Sequence, residues 1–194
     1  RNGGRINTDA IDNSAGVDSS DHEVNIKILC GAVEATGKLS REDRNVLLAS
    51  MTDEVAAKVL VHNYDQTLAI SLQEATAISD LDSHARFMTR LEQAGKLDRK
   101  VEGLPSSETM NELAAAGLGL TRPELAVLTA YGKLELDAEI VAGKSPDDPY
   151  FEETLVRYFP APLAVYEDEM NRHRLRREII STILSNEIVN MCGA

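Results

Sequence analysis

A polar stretch near the start of the chain holds the residues best suited to bind a ligand. From residue 7 to residue 25 the sequence reads NTDAIDNSAGVDSSDHEVN, which combines glycine, carboxylates and hydroxyls. Gly16 has no Cβ, so it can take φ > 0 or let a ligand come close. Ser20 and Glu23 have the spacing of a capping box, which predicts a helix that begins at about Asp21. Because a helix N-terminus presents free N–H groups, the stretch predicts an anion site.

A pattern of five residues in this stretch resembles an active-site loop of the glutamate dehydrogenase superfamily: Asn13, Gly16, Val17, Ser20 and Glu23. In that superfamily the pattern Asn-Ala-Gly-Gly-Val-x-x-Ser-x-x-Glu closes the nucleotide-binding domain and leads into a helix. Segments 12–18 and 20–28 resemble the large bacterial NAD-specific glutamate dehydrogenases. The runs 174–180 and 184–186 are similar to the C-terminal region of the same family.

The resemblance implies roles for three residues. Asn13 would contact the nicotinamide end of NAD, Val17 would line the pocket for the glutamate side chain, and the Ser20 hydroxyl would hydrogen-bond the distal carboxylate of the substrate. The family's reaction interconverts L-glutamate, NAD and water with 2-oxoglutarate, ammonia and NADH. The resemblance therefore implies an NAD-dependent oxidoreductase that acts on glutamate and 2-oxoglutarate.

The same residues also have purely structural interpretations. Ser20 alone is well explained as a helix cap, and an isolated Asn13 is more often a turn residue than a ligand. The resemblance favours the ligand role for both, although capping and substrate binding compete for one hydroxyl. Ala15 stands where smaller family members have glycine, and Asp21-His22 replaces their aromatic pair. We therefore expect a more polar pocket wall than is usual in the family.

Other polar groups do not indicate a second site. The aspartates at positions 9, 12, 18 and 21 lack the spacing of an EF-hand loop, so no metal site is expected. The four histidines are scattered and define no catalytic triad. His22 is expected on the surface of the first helical turn. Asp65-Gln66 is interpreted as a buried joint or an interface, and the arginines of 172–177 as a solvated face paired with the acids of 167–169.

Composition limits the class of protein. Of the 194 residues 43% are apolar and 27% are charged, which is typical of a globular protein. The net charge of −12 disfavours nucleic acid and anionic membranes as partners. Cys30 and Cys192 lack zinc-site spacing, so both are expected to be reduced thiols in a cytosolic, cytoplasmic protein. There is no basic leader and no long apolar run, and a start without methionine suggests an excision from a longer protein.

The predicted fold class is mainly α: a multi-helix assembly that follows a short remnant of a Rossmann-type α/β nucleotide-binding domain. Residues 1–20 are interpreted as the end of a strand-and-loop unit. Helices are then predicted for 21–35, from Ser40, from Thr52 with an interruption at 63–65, after Asp80, from Ser107, from the Thr121–Glu124 capping box, from 147 to 159, and for 163–191.

The predicted domains are 1–36 and 37–194. The first is the end of the dehydrogenase domain, with the active-site loop and the helix after it. The second is a C-terminal helical region with a hinge or linker at 95–106.

No Gly-x-Gly-x-x-Gly fingerprint occurs in the sequence, so the pyrophosphate of NAD is expected to bind outside this chain. By resemblance, the catalytic lysine and aspartate also lie elsewhere, and the chain alone is expected to be inactive. The leading hypothesis is the C-terminal part of a large NAD-dependent glutamate dehydrogenase that supplies one wall of the cleft. Its expected partners are the remainder of the polypeptide and further copies in a homo-oligomer. The alternative is a stand-alone helical interaction or regulatory module without catalysis.

Overall fold

A computed structural model describes Gly4 and residues 6–194, and all of its regular elements there are helices. The α-helices are α1 (Asp9–Asp12), α2 (Ser14–Ala35), α3 (Arg41–Ser50), α4 (Thr52–Thr76), α5 (Leu81–Gln93), α6 (Ser107–Ala115), α7 (Arg122–Ala142), α8 (Glu152–Tyr158), α9 (Glu167–Asn171) and α10 (Arg176–Cys192). Short 3₁₀ helices span Ser145–Asp147, Pro149–Phe151 and Ala161–Tyr166.

The mainly α fold class is confirmed, whereas the strand expected before residue 20 is not found. Residues 6–20 contain α1 and the first turns of α2 and no strand. Residues 1–3 and 5, which the same prediction includes, lie outside the described part of the chain. The Rossmann remnant is therefore not seen in the residues that the structure describes.

Helix α2 begins seven residues before the predicted start, so the prediction that Ser20 caps it is wrong. The N-cap is Asn13, with φ −127° and ψ 31°, and Ser20 lies inside the helix. Contacts with α4 favour the earlier start, because the Ser14 hydroxyl accepts a 2.8 Å hydrogen bond from the Asn63 amide. Such tertiary contacts override the weak helix propensity of the sequence SAGVDSS.

Other helix boundaries follow the local signals in the sequence. The Ser40 hydroxyl accepts the Asp43 N–H at 3.1 Å and caps α3, which begins one residue after the predicted start. At the predicted capping box the backbone N–H of Thr121 donates to the Glu124 carboxylate at 2.6 Å. Helices α2, α5 and α6 are each followed by a glycine with positive φ, at Gly37, Gly95 and Gly117.

Two long segments differ from their predictions. Helix α4 is continuous over 25 residues, with half-buried Asp65 and Gln66 inside it and no interruption at 63–65. The predicted helix over 163–191 is instead divided into a 3₁₀ turn, α9 and α10. Buried His173 stabilises the break, because its Nε2 donates to the Asn25 carbonyl at 3.2 Å and its Nδ1 accepts the Leu175 N–H at 3.1 Å.

The chain divides into two compact units. The first unit comprises Arg1–Asp12, Asp65–Leu134 and Ile188–Ala194. Its core includes Ile70, Met88, Leu91, Leu125 and Leu128. Inside it, the Gln73 amide donates to the Thr129 hydroxyl at 2.9 Å.

The second unit comprises Asn13–Tyr64 and Glu135–Glu187. Its core includes Leu29, Cys30, Leu155, Leu163, Met170 and Ile180.

Residues 94–106 contain no regular helix. Leu97 and Leu104 within the segment are nevertheless buried in the core of the first unit. Buried Arg99 donates to the Thr89 hydroxyl at 3.1 Å and pairs with Glu92 at 2.9 Å. The hinge role of 95–106 and the domain boundary at residue 36 stay predictions.

Cys30 is buried and Cys192 is exposed, and both thiols are free, as expected. None of the described helices combines the length and apolar character that a membrane crossing requires.

Candidate functional site

Three residues predicted to bind ligands lie along one face of α2. Asn13, Val17 and Ser20 are spaced i, i+4 and i+7, which places them within about 60° of one another around a helix. All three are exposed, and Val17 keeps 78% of its surface accessible. Val24 continues the row one turn further and is 49% exposed. We call Asn13, Val17, Ser20 and Val24 the outer stripe.

The opposite face of α2 forms part of the core of the second unit. The buried residues of the helix are His22, Asn25, Ile26, Leu29, Cys30 and Val33. Because these residues hold the helix in place, the outer stripe faces away from the core on a fixed support. The outer stripe is therefore a surface that can contact a ligand or another part of a larger protein.

The structure changes the predicted anion site. The N–H groups after Ser20 lie inside α2 and are not at a helix terminus. Gly16 is helical and does not have positive φ, so that reason for a glycine does not apply, whereas the close approach of a ligand to Gly16 stays a prediction. The Asn13 side chain makes no capping hydrogen bond within the described part of the chain. Its amide group is therefore not used to cap the helix.

A second polar group lies on the inner side of α2. Asp18 and His22, four residues apart, have Oδ1 and Nε2 4.0 Å from each other. His62 of α4 places its Nδ1 2.9 Å from Asp18 Oδ2. His22 was expected on the surface, but it is only 1% exposed. The expectation was wrong because His22 lies one helical turn before Ile26 and therefore shares the buried face of α2.

Tyr158 of α8 covers the His22 ring. The two rings stack with centroids 4.6 Å apart. The Tyr158 hydroxyl donates to Asp21 at 2.8 Å and accepts from the Asn25 amide at 2.8 Å. Burial lowers the pKa of His22 and raises the pKa of Tyr158, so both side chains favour their neutral forms. Asp21, expected in the wall of a ligand pocket, is therefore bound to Tyr158.

The arginine cluster has a structural role that sequence analysis did not identify. Arg177 pairs with Asp147 and donates 2.8 Å hydrogen bonds to the carbonyls of Val141 and Gly143 at the end of α7. A cation at this position also suits the negative end of the helix dipole. Arg172 donates to the Asp168 carbonyl at 3.0 Å. The arginines of this cluster were expected to pair with the acids of 167–169, but Arg177 instead pairs with Asp147.

Sequence comparison finds similarity between this helical chain and glutamate dehydrogenases. Residues 1–73 match the family model described as bacterial NAD-glutamate dehydrogenase, catalytic domain. Residues 117–194 match the model described as glutamate dehydrogenase, C-terminal. The outer stripe lies within the first match. Both models are described by the name glutamate dehydrogenase, and the model matched by residues 1–73 describes a catalytic domain.

Individual relatives agree with this assignment. The chain is 49% identical to the NAD-specific glutamate dehydrogenase of Pseudomonas aeruginosa and 47% identical to those of Halomonas elongata and Mycobacterium tuberculosis. Each comparison covers 98% of this chain and 12% of the relative. The chain belongs to the family of bacterial NAD-specific glutamate dehydrogenases, and it spans about 12% of the length of these relatives. No solved structure matches it.

Proposed function

We propose that the chain is part of an NAD-dependent glutamate dehydrogenase and that its outer stripe forms one wall of the active-site cleft. The reaction would convert L-glutamate, NAD⁺ and water to 2-oxoglutarate, ammonia, NADH and a proton. The observation that carries the proposal is the match of residues 1–73, which include the outer stripe, to a catalytic-domain model. A wall on the exposed face of a packed helix would hold its side chains in fixed positions, which catalysis requires.

The outer stripe offers groups that suit glutamate. The Ser20 hydroxyl is exposed and can donate a hydrogen bond to the distal carboxylate. Val17, one turn before it, offers an apolar surface to the methylene groups between the two ends of the substrate. These two side chains would position glutamate by contacting it away from the reacting carbon.

Asn13 is proposed to face the nicotinamide end of NAD. Its side chain is exposed and is not used as a cap, so its amide can both donate and accept hydrogen bonds. NAD, when bound, supplies the acceptor for the hydride that leaves the α-carbon of glutamate. The contribution of Asn13 would be to orient the ring, while the pyrophosphate would bind to the rest of the enzyme.

The proposal includes partners and location. The remainder of the polypeptide would supply the catalytic lysine and aspartate and the other walls of the cleft. The whole enzyme is proposed to form a homo-oligomer in the cytoplasm. The helical region after α2 would then serve for packing.

Two measurements test how NAD binding is divided between this chain and the rest of the enzyme. In calorimetry the 194-residue chain should show little affinity for NAD, because most cofactor contacts would be missing. Micromolar binding of NAD to the chain would contradict the placement of the pyrophosphate site elsewhere.

In the full-length enzyme, Asn13→Ala should weaken NAD use by roughly 0.5–1.5 kcal/mol, the value of one hydrogen bond, and leave the melting temperature unchanged. A lower melting temperature with normal NAD kinetics would show that Asn13 is structural only.

A further inference from the structure

We propose that Asp18, His22 and His62 bind a divalent transition-metal ion, for which Zn²⁺ is the best match. The site lies within the second unit, on the side of α2 opposite to the outer stripe. It joins two turns of α2 to the middle of α4. The proposal does not depend on the reaction that the whole enzyme performs.

The three side chains already converge. Each offers one ligand atom, and these atoms all lie within 4.8 Å of one another. Bonds of about 2.0–2.2 Å from Zn²⁺ to nitrogen and oxygen place neighbouring ligand atoms of a tetrahedral site about 3.3 Å apart. The 4.0 Å between His22 Nε2 and Asp18 Oδ1 must therefore shorten by less than 1 Å, and no pair of the three ligand atoms must shorten by more than about 1.5 Å. Small side-chain rotations can achieve that.

His22 gives independent evidence that a ligand belongs here. The side chain is only 1% exposed, and neither of its ring nitrogens has a hydrogen-bond partner among the described residues. A buried polar atom without a partner is costly, and such atoms are uncommon in folded proteins. A metal ion bound at Nε2, the nitrogen on the Asp18 side, would satisfy one of them.

The surroundings hold the His22 ring in place. It stacks on the ring of Tyr158, with centroids 4.6 Å apart, and its centroid lies 5.7 Å from that of the nearly parallel His62 ring. The Tyr158 hydroxyl is itself fixed by hydrogen bonds to Asp21 and Asn25. A preoriented imidazole loses little freedom when it binds an ion.

The set of ligands selects the kind of metal. Two imidazoles and one carboxylate suit Zn²⁺ and related transition metals, whereas Ca²⁺ and Mg²⁺ prefer sets made of oxygen only. Three protein ligands leave a fourth position for water or an anion. The carboxylates of Asp18 and Asp21 also make the surroundings of His22 favourable for a cation, while Lys58 opposes them in part.

The ion would fix the first half of α2. Asp18 and His22 belong to α2 and His62 belongs to α4, so one ion would join the two helices. The segment so held carries the outer stripe on its other face. The metal's effect would therefore be on the position and stability of this half of α2.

The test is a zinc titration of the metal-free 194-residue chain by calorimetry. All proteins carry Cys192→Ser, because an exposed thiol can bind zinc by itself. The wild-type site should bind one equivalent of Zn²⁺. Asp18→Asn and His62→Gln should weaken that binding by about tenfold or more, since each removes one ligand. Glu23→Gln is the matched control, because it removes one negative charge from α2 at an exposed side chain that pairs with Lys27 outside the cluster, and it should bind as the wild-type site does.

Circular dichroism of each variant checks that its helices are formed. His62 is 45% exposed, so its replacement disturbs packing least. A second measurement needs no variant of the site: Co²⁺ bound to the parent chain should give the absorption of a four-coordinate ion. Absence of one-equivalent Zn²⁺ binding, a six-coordinate Co²⁺ spectrum, or unchanged affinity in folded His62→Gln would each overturn the proposal.

Discussion

Replacing Ser20 with aspartate in the full-length enzyme separates a substrate contact from a purely structural residue. Ser20 is exposed to solvent, lies away from the ends of α2 and does not cap the helix, so the change should hardly affect folding. Serine and aspartate have similar helix propensities. Repulsion between the new carboxylate and Glu23, three residues on, costs roughly 0.2–0.5 kcal/mol. The melting temperature should therefore change little.

The effect on substrate should be much larger. If the position faces the distal carboxylate of glutamate, the variant places two like charges about 4 Å apart, and an effective dielectric near 20 gives a repulsion of roughly 4 kcal/mol. That energy corresponds to about a thousandfold weaker binding. Glutamate and 2-oxoglutarate should both bind more weakly, whereas the affinity for NAD should hold.

Ser19→Asp is the matched control. Ser19 is exposed on the same helix but points about 100° away from Ser20. It adds the same charge without facing the proposed cleft, so its glutamate KM should stay near the wild-type value. Steady-state kinetics on both substrates and a melting curve for each variant provide the assay. An unchanged glutamate KM in folded Ser20→Asp, or equal effects of the two substitutions, would refute the role of Ser20.

Three further predictions concern stability of the 194-residue chain and use urea or thermal unfolding. Gly119→Ala should destabilise the chain by roughly 1–3 kcal/mol, because its Cβ would lie 2.6 Å from the Ala77 backbone; Gly31→Ala, with open space at the helical position, should be neutral or stabilising. Ser40→Ala should lower the free energy of unfolding by about 0.5–2 kcal/mol, because the cap of α3 is lost. A loss no larger than that of Ser19→Ala, at an exposed serine inside α2, would contradict the role of Ser40 as a cap. Burial lowers the pKa of Lys133 from 10.5 to about 8, so the folded state at pH 7 carries a poorly solvated charge. Lys133→Met should therefore raise the melting temperature at pH 7. The difference in melting temperature from wild type should shrink above pH 8, because wild-type Lys133 then loses its proton in the folded state. A difference that does not depend on pH would contradict this explanation.

Local signals predicted the helix boundaries that depend on neighbouring residues. The cap at Ser40, the capping box at Thr121 and the glycine ends of three helices need only interactions within a few residues. The break at His173 could not be predicted in this way. It depends on a hydrogen bond to Asn25, which is 148 residues away in the sequence.

The start of α2 shows how one boundary affects a whole site. The segment from 13 to 20 is rich in residues that favour turns, and its helix is supported by partners on α4 that sequence patterns do not reveal. A helix start at residue 21 places Asn13, Val17 and Ser20 in a loop and leaves Asp18 outside the helix. With the start at 14, the first three form a row on one face, and His22 meets His62 on the other. The four-residue spacing of Asp18 and His22 can be read from the sequence. The two side chains lie on neighbouring turns of one face only because α2 includes both residues.

The most direct test of the central claim is a structure of the full-length enzyme with 2-oxoglutarate and NADH bound. The distance to measure is from Ser20 Oγ to the distal carboxylate of the ligand. The proposed function predicts a hydrogen bond of about 2.5–3.0 Å, with Val17 against the ligand's methylene groups and Asn13 at the nicotinamide. A ligand bound elsewhere, with the outer stripe in solvent or packed against another part of the chain, would contradict it.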